Sequence, residues 1–373
     1  MKRRYCPLRN IFNIKIAAFL LAIVIVVSAA TSSMGFTYLN NIVISESEVY
    51  FACMKIHELA GINIRNSFIE GTNKLRHSSM NLYLKSKQKV LKRGNNIYIC
   101  FKYTQNSYMH LVFGGCGINN IMGIKKIYVD TNKFNTDSTA KKQKPLLLME
   151  TFTDWIGPYY MKSLIHDDSG KGIFTGGWHG RSGDTTAKTE KITVKVNGTK
   201  IEDDKEYEGN VEIIVDNYIK AYNTINDDIY VLNEVVKYRI SPGKIDVELV
   251  STALEDVLIY SYYGLQSQNS AWNGKVVYGN GAEYESGKYS DSGPLKENNK
   301  ANSYTLISKD GIFKLCVTID AGFGLGKFEN LDKDKPTAFT ESYGKTYFNL
   351  VNGINKKLDK GEKIKWRGSY EFT

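Results

Sequence analysis

The chain has 373 residues, 42% hydrophobic and 24% charged, a balance that excludes a disordered chain and buries a core without needing disulfides. The formal net charge is +10, carried by scattered lysines with local runs such as Lys141-Lys142-Gln143-Lys144. That spread fits a solvated surface, or long-range attraction to an anionic cell-wall polymer, and no nucleic-acid partner is expected.

Residues 1–30 read as a signal peptide or N-terminal anchor. Lys2, Arg3, Arg4, Arg9 and Lys15 precede the apolar run Ile16 to Val27, and Ser28-Ala29-Ala30 offers a small-residue cleavage site. The apolar run is short for a spanning helix. The expected location is therefore secreted, or the extracellular face of a membrane touched only through this segment. Residues 31–95 carry apolar positions without one clear period, which leaves helix and strand open there.

From Asn96 the pattern is that of strands, and residues 96–373 are expected to form one large antiparallel β-sandwich. Ile97 to Tyr103 and Met109 to Phe113 read as neighbouring strands, after which Gly114-Gly115-Cys116-Gly117 should break the pattern. Ile127 to Val129 is a further strand, and 132–144 a polar loop. Lys191 to Val196 alternates strictly before Asn197-Gly198, a tight hairpin turn. Strand patterns follow at 210–218, 231–240 and 244–250, with Ser241-Pro242-Gly243 turning the chain. Val257 to Tyr263 looks buried on both faces. Two more strands flank Asp310-Gly311, and a last one runs from Lys363 to Phe372. Many short strands joined by turn residues, without strand–helix alternation, mean a sandwich or barrel.

The five cysteines include no CxxC pair, which argues against a zinc knuckle or redox motif. They read as buried thiols, with one disulfide among Cys53, Cys100, Cys116 and Cys316 left open. His166-Asp167-Asp168 lacks calcium-loop spacing, so neither a metal nor a cofactor is expected. Gly322-Phe323-Gly324-Leu325-Gly326 lacks the dinucleotide spacing.

The richest site candidate is the Gly-flanked run Trp178-His179-Gly180-Arg181. Glycines let a ligand approach the backbone, Trp stacks on a sugar ring, His moves a proton near neutral pH, and Arg holds hydroxyls or a carboxylate. Asp154-Trp155 forms a second aromatic–acidic cluster. Glu255, just before the aromatic strand, is the expected acid–base partner of a catalytic His179. Tyr262, Tyr263, Gln266 and Trp272 follow as a ligand-lining set or a sheet core. Each tryptophan could equally be a core plug.

The segment Lys237 to Gln266, with two strands, a Pro-Gly turn and an aromatic strand ending Tyr262-Tyr263-Gly264-Leu265, resembles the middle of the aldose epimerase (galactose mutarotase-like) family. Leu358-Asp359-Lys360-Gly361-Glu362 with its closing strand is similar to the end of those proteins, and Gly176-Gly177-Trp178-His179-Gly180 resembles a His-Gly substrate loop. The resemblance covers about residues 150–373 and implies a supersandwich fold and a saccharide ligand. It departs at Ile259-Tyr260-Ser261-Tyr262, which lacks the family's second histidine, and it leaves Glu329 and Glu341 as candidates for a C-terminal acid. Thr153 to Tyr159 followed by Phe174 to Gly180 also resembles uncharacterised phage-tail and bacterial surface domains, implying a non-enzymatic adhesion module. Two functions therefore stand after the sequence: a saccharide-binding or carbohydrate-active protein, and a surface adhesion module.

Overall fold

The computed structural model describes residues 88–104, 106–131, 145–150, 154–167, 172–180, 184–285, 293–341 and 343–373. Residues 1–30, expected to be a signal peptide or anchor, residues 31–87, residues 132–144, expected to be a polar loop, and Arg181 lie outside the described residues. Strands β1 (Lys89–Arg93), β2 (Asn96–Thr104), β3 (Ser107–Cys116), β4 (Ile121–Asp130) and β5 (Leu146–Glu150) form an antiparallel meander. β9 (Glu206–Glu208) joins its β1 edge to give six strands.

A ten-stranded antiparallel sheet forms the largest layer. Its centre is β7 (Ala187–Val196), β10 (Val211–Lys220), β11 (Tyr230–Ser241), β12 (Lys244–Ala253) and β20 (Lys363–Phe372). β8 (Thr199–Lys200) extends one side, and β14 (Lys275–Tyr278), β15 (Glu283–Glu285), β16 (Ser303–Ile307) and β17 (Lys314–Ile319) extend the other. A four-stranded sheet runs in the order β18 (Ala338–Glu341), β19 (Lys345–Leu358), β13 (Val257–Gln268) and β6 (Tyr159–Ser163).

The alternation in β10 to β12 explains the layering. Val211, Ile213 and Val215 are buried, as are Val236, Tyr238 and Ile240, and Ile245, Val247 and Leu249; the residues between them point outward. Asn197 and Gly198 turn the chain between β7 and β8 with φ of 50° and 84°, the left-handed pair that a two-residue hairpin requires. Both smaller sheets pack on the large one. Phe113 of β3 meets Tyr238 edge-on at 5.3 Å. From β20, the Trp366 indole donates to the Tyr262 hydroxyl at 2.8 Å, and the Tyr370 hydroxyl donates to the Gln266 carbonyl at 2.6 Å.

The structure departs from the sequence pattern in three places. β3 does not stop at Gly114 but runs on to Cys116. A Cβ at Gly114 or Gly115 would run into the side chains of Asn96 and Asn120, so these glycines make room for side chains of neighbouring segments. β13 alternates between buried and half-buried up to Tyr263 and is buried on both faces only from Gly264 onward. There it pairs with β19, a 14-residue strand that the sequence reading did not single out. Cys100, Cys116 and Cys316 are unbridged thiols. Among the described residues no helix is long and apolar enough to cross a membrane.

Candidate functional site

The Trp178-His179 loop is a built turn. Gly176 and Gly177 have φ of 76° and 51°, the left-handed region where a side chain is costly. A Cβ on Gly177 would run into the Asp154 carboxylate. Its absence lets the Trp178 backbone N–H donate to Asp154 Oδ1, while the His179 N–H closes the turn on the Gly176 carbonyl at 2.9 Å. Asn119 clamps the turn from the β3–β4 connection. Its Nδ2 donates to the carbonyls of Gly177 and His179 at 2.9 and 2.8 Å. Its Oδ1 accepts from the backbone N–H groups of Thr186 and Ala187 at 2.7 and 3.0 Å. The Trp178 ring lies over Gly117, where a Cβ would collide with it.

Asp154 is the electrostatic centre. Its side chain has no exposed surface, yet Oδ2 lies 3.2 Å from His179 Nε2 and 3.3 Å from Lys345 Nζ. Burial opposes its charge, but His179, Lys345 and the Trp178 amide outweigh burial and hold the carboxyl below its usual range. Burial lowers the Lys345 ammonium, and Asp154 works against that shift. His179 remains 44% exposed, so a fixed anion orients an imidazole whose ring is open to solvent.

These groups border a cleft of about 470 Å³. Phe174, Trp178, Tyr263, Phe339, Tyr343 and Tyr347 supply its aromatic walls. Tyr263 lies 5.3 Å from Tyr347 and 5.7 Å from Phe174, and Phe339 stacks on Tyr347 at 5.0 Å between ring centres. The Tyr343 and Tyr347 hydroxyls bond to each other. Burial raises both phenols above the usual range, so they remain neutral hydrogen-bonding groups. Besides the tyrosines, His179, Gln266, Glu341 and Lys345 are the ionisable or amide side chains at this surface.

The structure brings Trp178, His179 and Tyr263 to the cleft, with Asp154 behind them. It leaves Trp155, Trp272 and Glu255 away from the cleft. Trp155 is buried edge-on against Tyr370 at 5.0 Å, and Trp272 is buried beside Phe372 at 6.2 Å. Glu255 lies 3.3 Å from His166, before the start of β13, whereas Tyr263 lies in the second half of that strand. At about 3.3 Å per strand residue, that places Glu255 roughly 25 Å from Tyr263 along the strand. Gln266, a ligand-lining candidate, also borders the cleft. Sequence reasoning missed Phe174 and most of the β18–β19 hairpin, which supplies Phe339, Glu341, Tyr343, Lys345 and Tyr347. Of these only Glu341 was a candidate. The available signal was the period-two pairing of Phe339 with Glu341 and Lys345 with Tyr347 around Gly344.

No family model and no curated protein matches the chain. Among solved structures it is similar to an α-galactosidase from Geobacillus stearothermophilus, with 8% identity and a TM-score of 0.39, covering 77% of this chain and 40% of that one. It is similar to the galactosidase domain of an α-galactosidase–sucrose kinase, with 10% identity and a TM-score of 0.35, covering 76% and 40%. It is also similar to a galactose mutarotase-like protein from Clostridium acetobutylicum, with 10% identity and a TM-score of 0.33, covering 78% and 99%. The chain spans less than half the length of the two galactosidases. At these identities and scores the likeness says nothing of this chain's chemistry, which rests on its own residues.

Proposed function

We propose that the chain is an exported protein that binds a cell-surface or environmental saccharide in the cleft between Trp178 and the β18–β19 hairpin. One observation carries this reading: six aromatic side chains surround a few converging polar groups in a single concavity. Aromatic faces suit the C–H faces of a sugar ring, and the polar groups suit its hydroxyls. A concave site of this kind separates the reading from an adhesion module, which needs only a flat face. Export rests on the basic, apolar and small-residue pattern of the first 30 residues.

A glycan array with the full-length chain tests the proposal. Wild type should bind, and Tyr263→Ala and Trp178→Ala should not; a wild-type chain that binds no glycan sinks the reading. The 3.2 Å contact between His179 and Asp154 supports a second reading, in which the bound sugar is also turned over. His179 then moves the proton, Asp154 orients it, and Glu341 is the carboxylate at the cleft surface. His179→Gln should then lower turnover at least about 100-fold while binding persists. Equal turnover in wild type and variant would leave binding alone.

A further inference from the structure

Gln266 is fully buried, yet it lines the cleft. Its backbone is pinned: the N–H donates to the Trp155 carbonyl at 3.0 Å, and the carbonyl accepts from the Tyr370 hydroxyl at 2.6 Å. Its side-chain amide is different. Neither Oε1 nor Nε2 has a hydrogen-bond partner, and among the described residues it is the buried side-chain amide with both atoms unpaired. Gln88, Gln268 and Asn349 each leave one buried amide oxygen unpaired, whereas other buried amides are satisfied. Asn119 is fully engaged in the Trp178 turn, and Asn223 exchanges bonds of 2.8 and 3.0 Å with the Ser163 backbone. An unpaired buried amide is costly, so its retention at a cleft surface points to a ligand that completes it.

We infer that Gln266 selects the ligand by holding two neighbouring hydroxyls of a neutral sugar ring, one accepting from Nε2 and one donating to Oε1. The inference rests on the saccharide reading and deepens it. The amide's donor and acceptor lie side by side, as do hydroxyls on adjacent ring carbons. Tyr263, three residues earlier on the same strand, offers the ring face against which such a sugar lies. Gly157 packs against the amide so closely that a Cβ there would come within 2.8 Å of Nε2, which limits rotation of the group. Neutrality follows from the charges nearby: the Lys345 ammonium, 4% exposed, is already paired with Asp154, so it is not a free cation for a sugar carboxylate.

The test uses the full-length chain, its Gln266→Met variant and isothermal titration with methyl glucoside, galactoside, mannoside and xyloside, with their monodeoxy analogues and methyl glucuronide. Wild type should bind at least one neutral glycoside and bind the glucuronide more weakly. It should lose about 10- to 100-fold in affinity when either of two adjacent hydroxyls is removed. Gln266→Met should bind the parent sugar about 10- to 100-fold more weakly and no longer distinguish those analogues. The same variant should melt at a higher temperature, because an unpaired buried amide has been replaced by an apolar side chain of similar length. Wild-type discrimination retained by Gln266→Met, or binding lost together with a lower melting temperature, overturns the inference alone. A wild-type chain that binds none of the glycosides overturns it together with the saccharide reading.

Discussion

Asp154 and Glu234 are the acids buried among the described residues, and the protein holds them in opposite ways. Asp154 faces a lysine, a histidine and a backbone N–H, and it stays below the ordinary carboxylate range. Glu234, on the inner face of β11, has neutral partners. The Tyr159 hydroxyl donates to it at 2.7 Å and the Asn217 amide at 3.3 Å. Burial therefore pushes Glu234 up to about 7, although both hydrogen bonds pull the other way and Asp154's charge adds to the rise. With burial matched, the charge of the partners decides the state of the acid. The cleft carboxylate is kept ionised to orient His179 and hold the Trp178 turn. The core carboxyl ties β6, β10 and β11 together.

Breaking the first arrangement should have the largest effect. Asp154→Ala leaves Lys345 buried without its carboxylate and should cost about 3–5 kcal/mol by denaturant unfolding. Combining Asp154→Asn with Lys345→Met removes both charges and should recover most of that loss. A double variant as unstable as Asp154→Ala would show that lost packing, not an unpaired charge, sets the cost.

The pH dependence separates the two acids further. The folded-state value of Glu234 is raised, so the folded protein keeps this proton after the unfolded chain has lost it. Stability should fall as pH rises from about 4.5 to about 7 and level off above that, a change of about 3 kcal/mol. Asp154 is lowered, so its contribution is present above its ordinary 3.8 and disappears as pH falls below that. Glu234→Gln should abolish the fall between 4.5 and 7 and leave the acid-side loss intact. An unchanged slope in Glu234→Gln would assign that proton to another group.

The smallest expected effect is at the loop clamp. Asn119→Ala removes bonds to four backbone groups of the Gly177–Ala187 region and should cost about 1–3 kcal/mol. Saccharide affinity should fall with it, because the turn that presents Trp178 is loosened. Unaltered affinity would mean that Asp154 holds the turn without help.

Much of the fold was legible because strand alternation and turn chemistry are local. Val211 to Val215 and Ile245 to Leu249 announce a buried face within a few residues, and Asn197-Gly198 announces its hairpin. Gly114 and Gly115 misled because glycine marks a break when read alone, whereas here the Asn96 and Asn120 side chains occupy the space. Half of the site was legible for the same local reason: Trp178, His179 and Asp154 lie among glycines and aromatics that advertise a binding loop. Glu255 was attractive beside the aromatic strand, but acids next to a strand end are carried to one end of the sheet while the cleft opens at the other. Lys345 carries no local mark. It reads as a surface lysine until its neighbours are known.

The sequence by itself determined an all-β chain, its principal strands and the glycine-framed Trp178-His179 turn, because each depends on φ/ψ preference and period-two burial over a few residues. Only the tertiary structure decided which acid meets which base. Asp154 and Lys345 stand 191 residues apart. They meet because β19 pairs with β13 and carries the β18–β19 hairpin up to the Asn119-clamped turn. Contacts of that range are set by sheet register and packing, which no local pattern encodes.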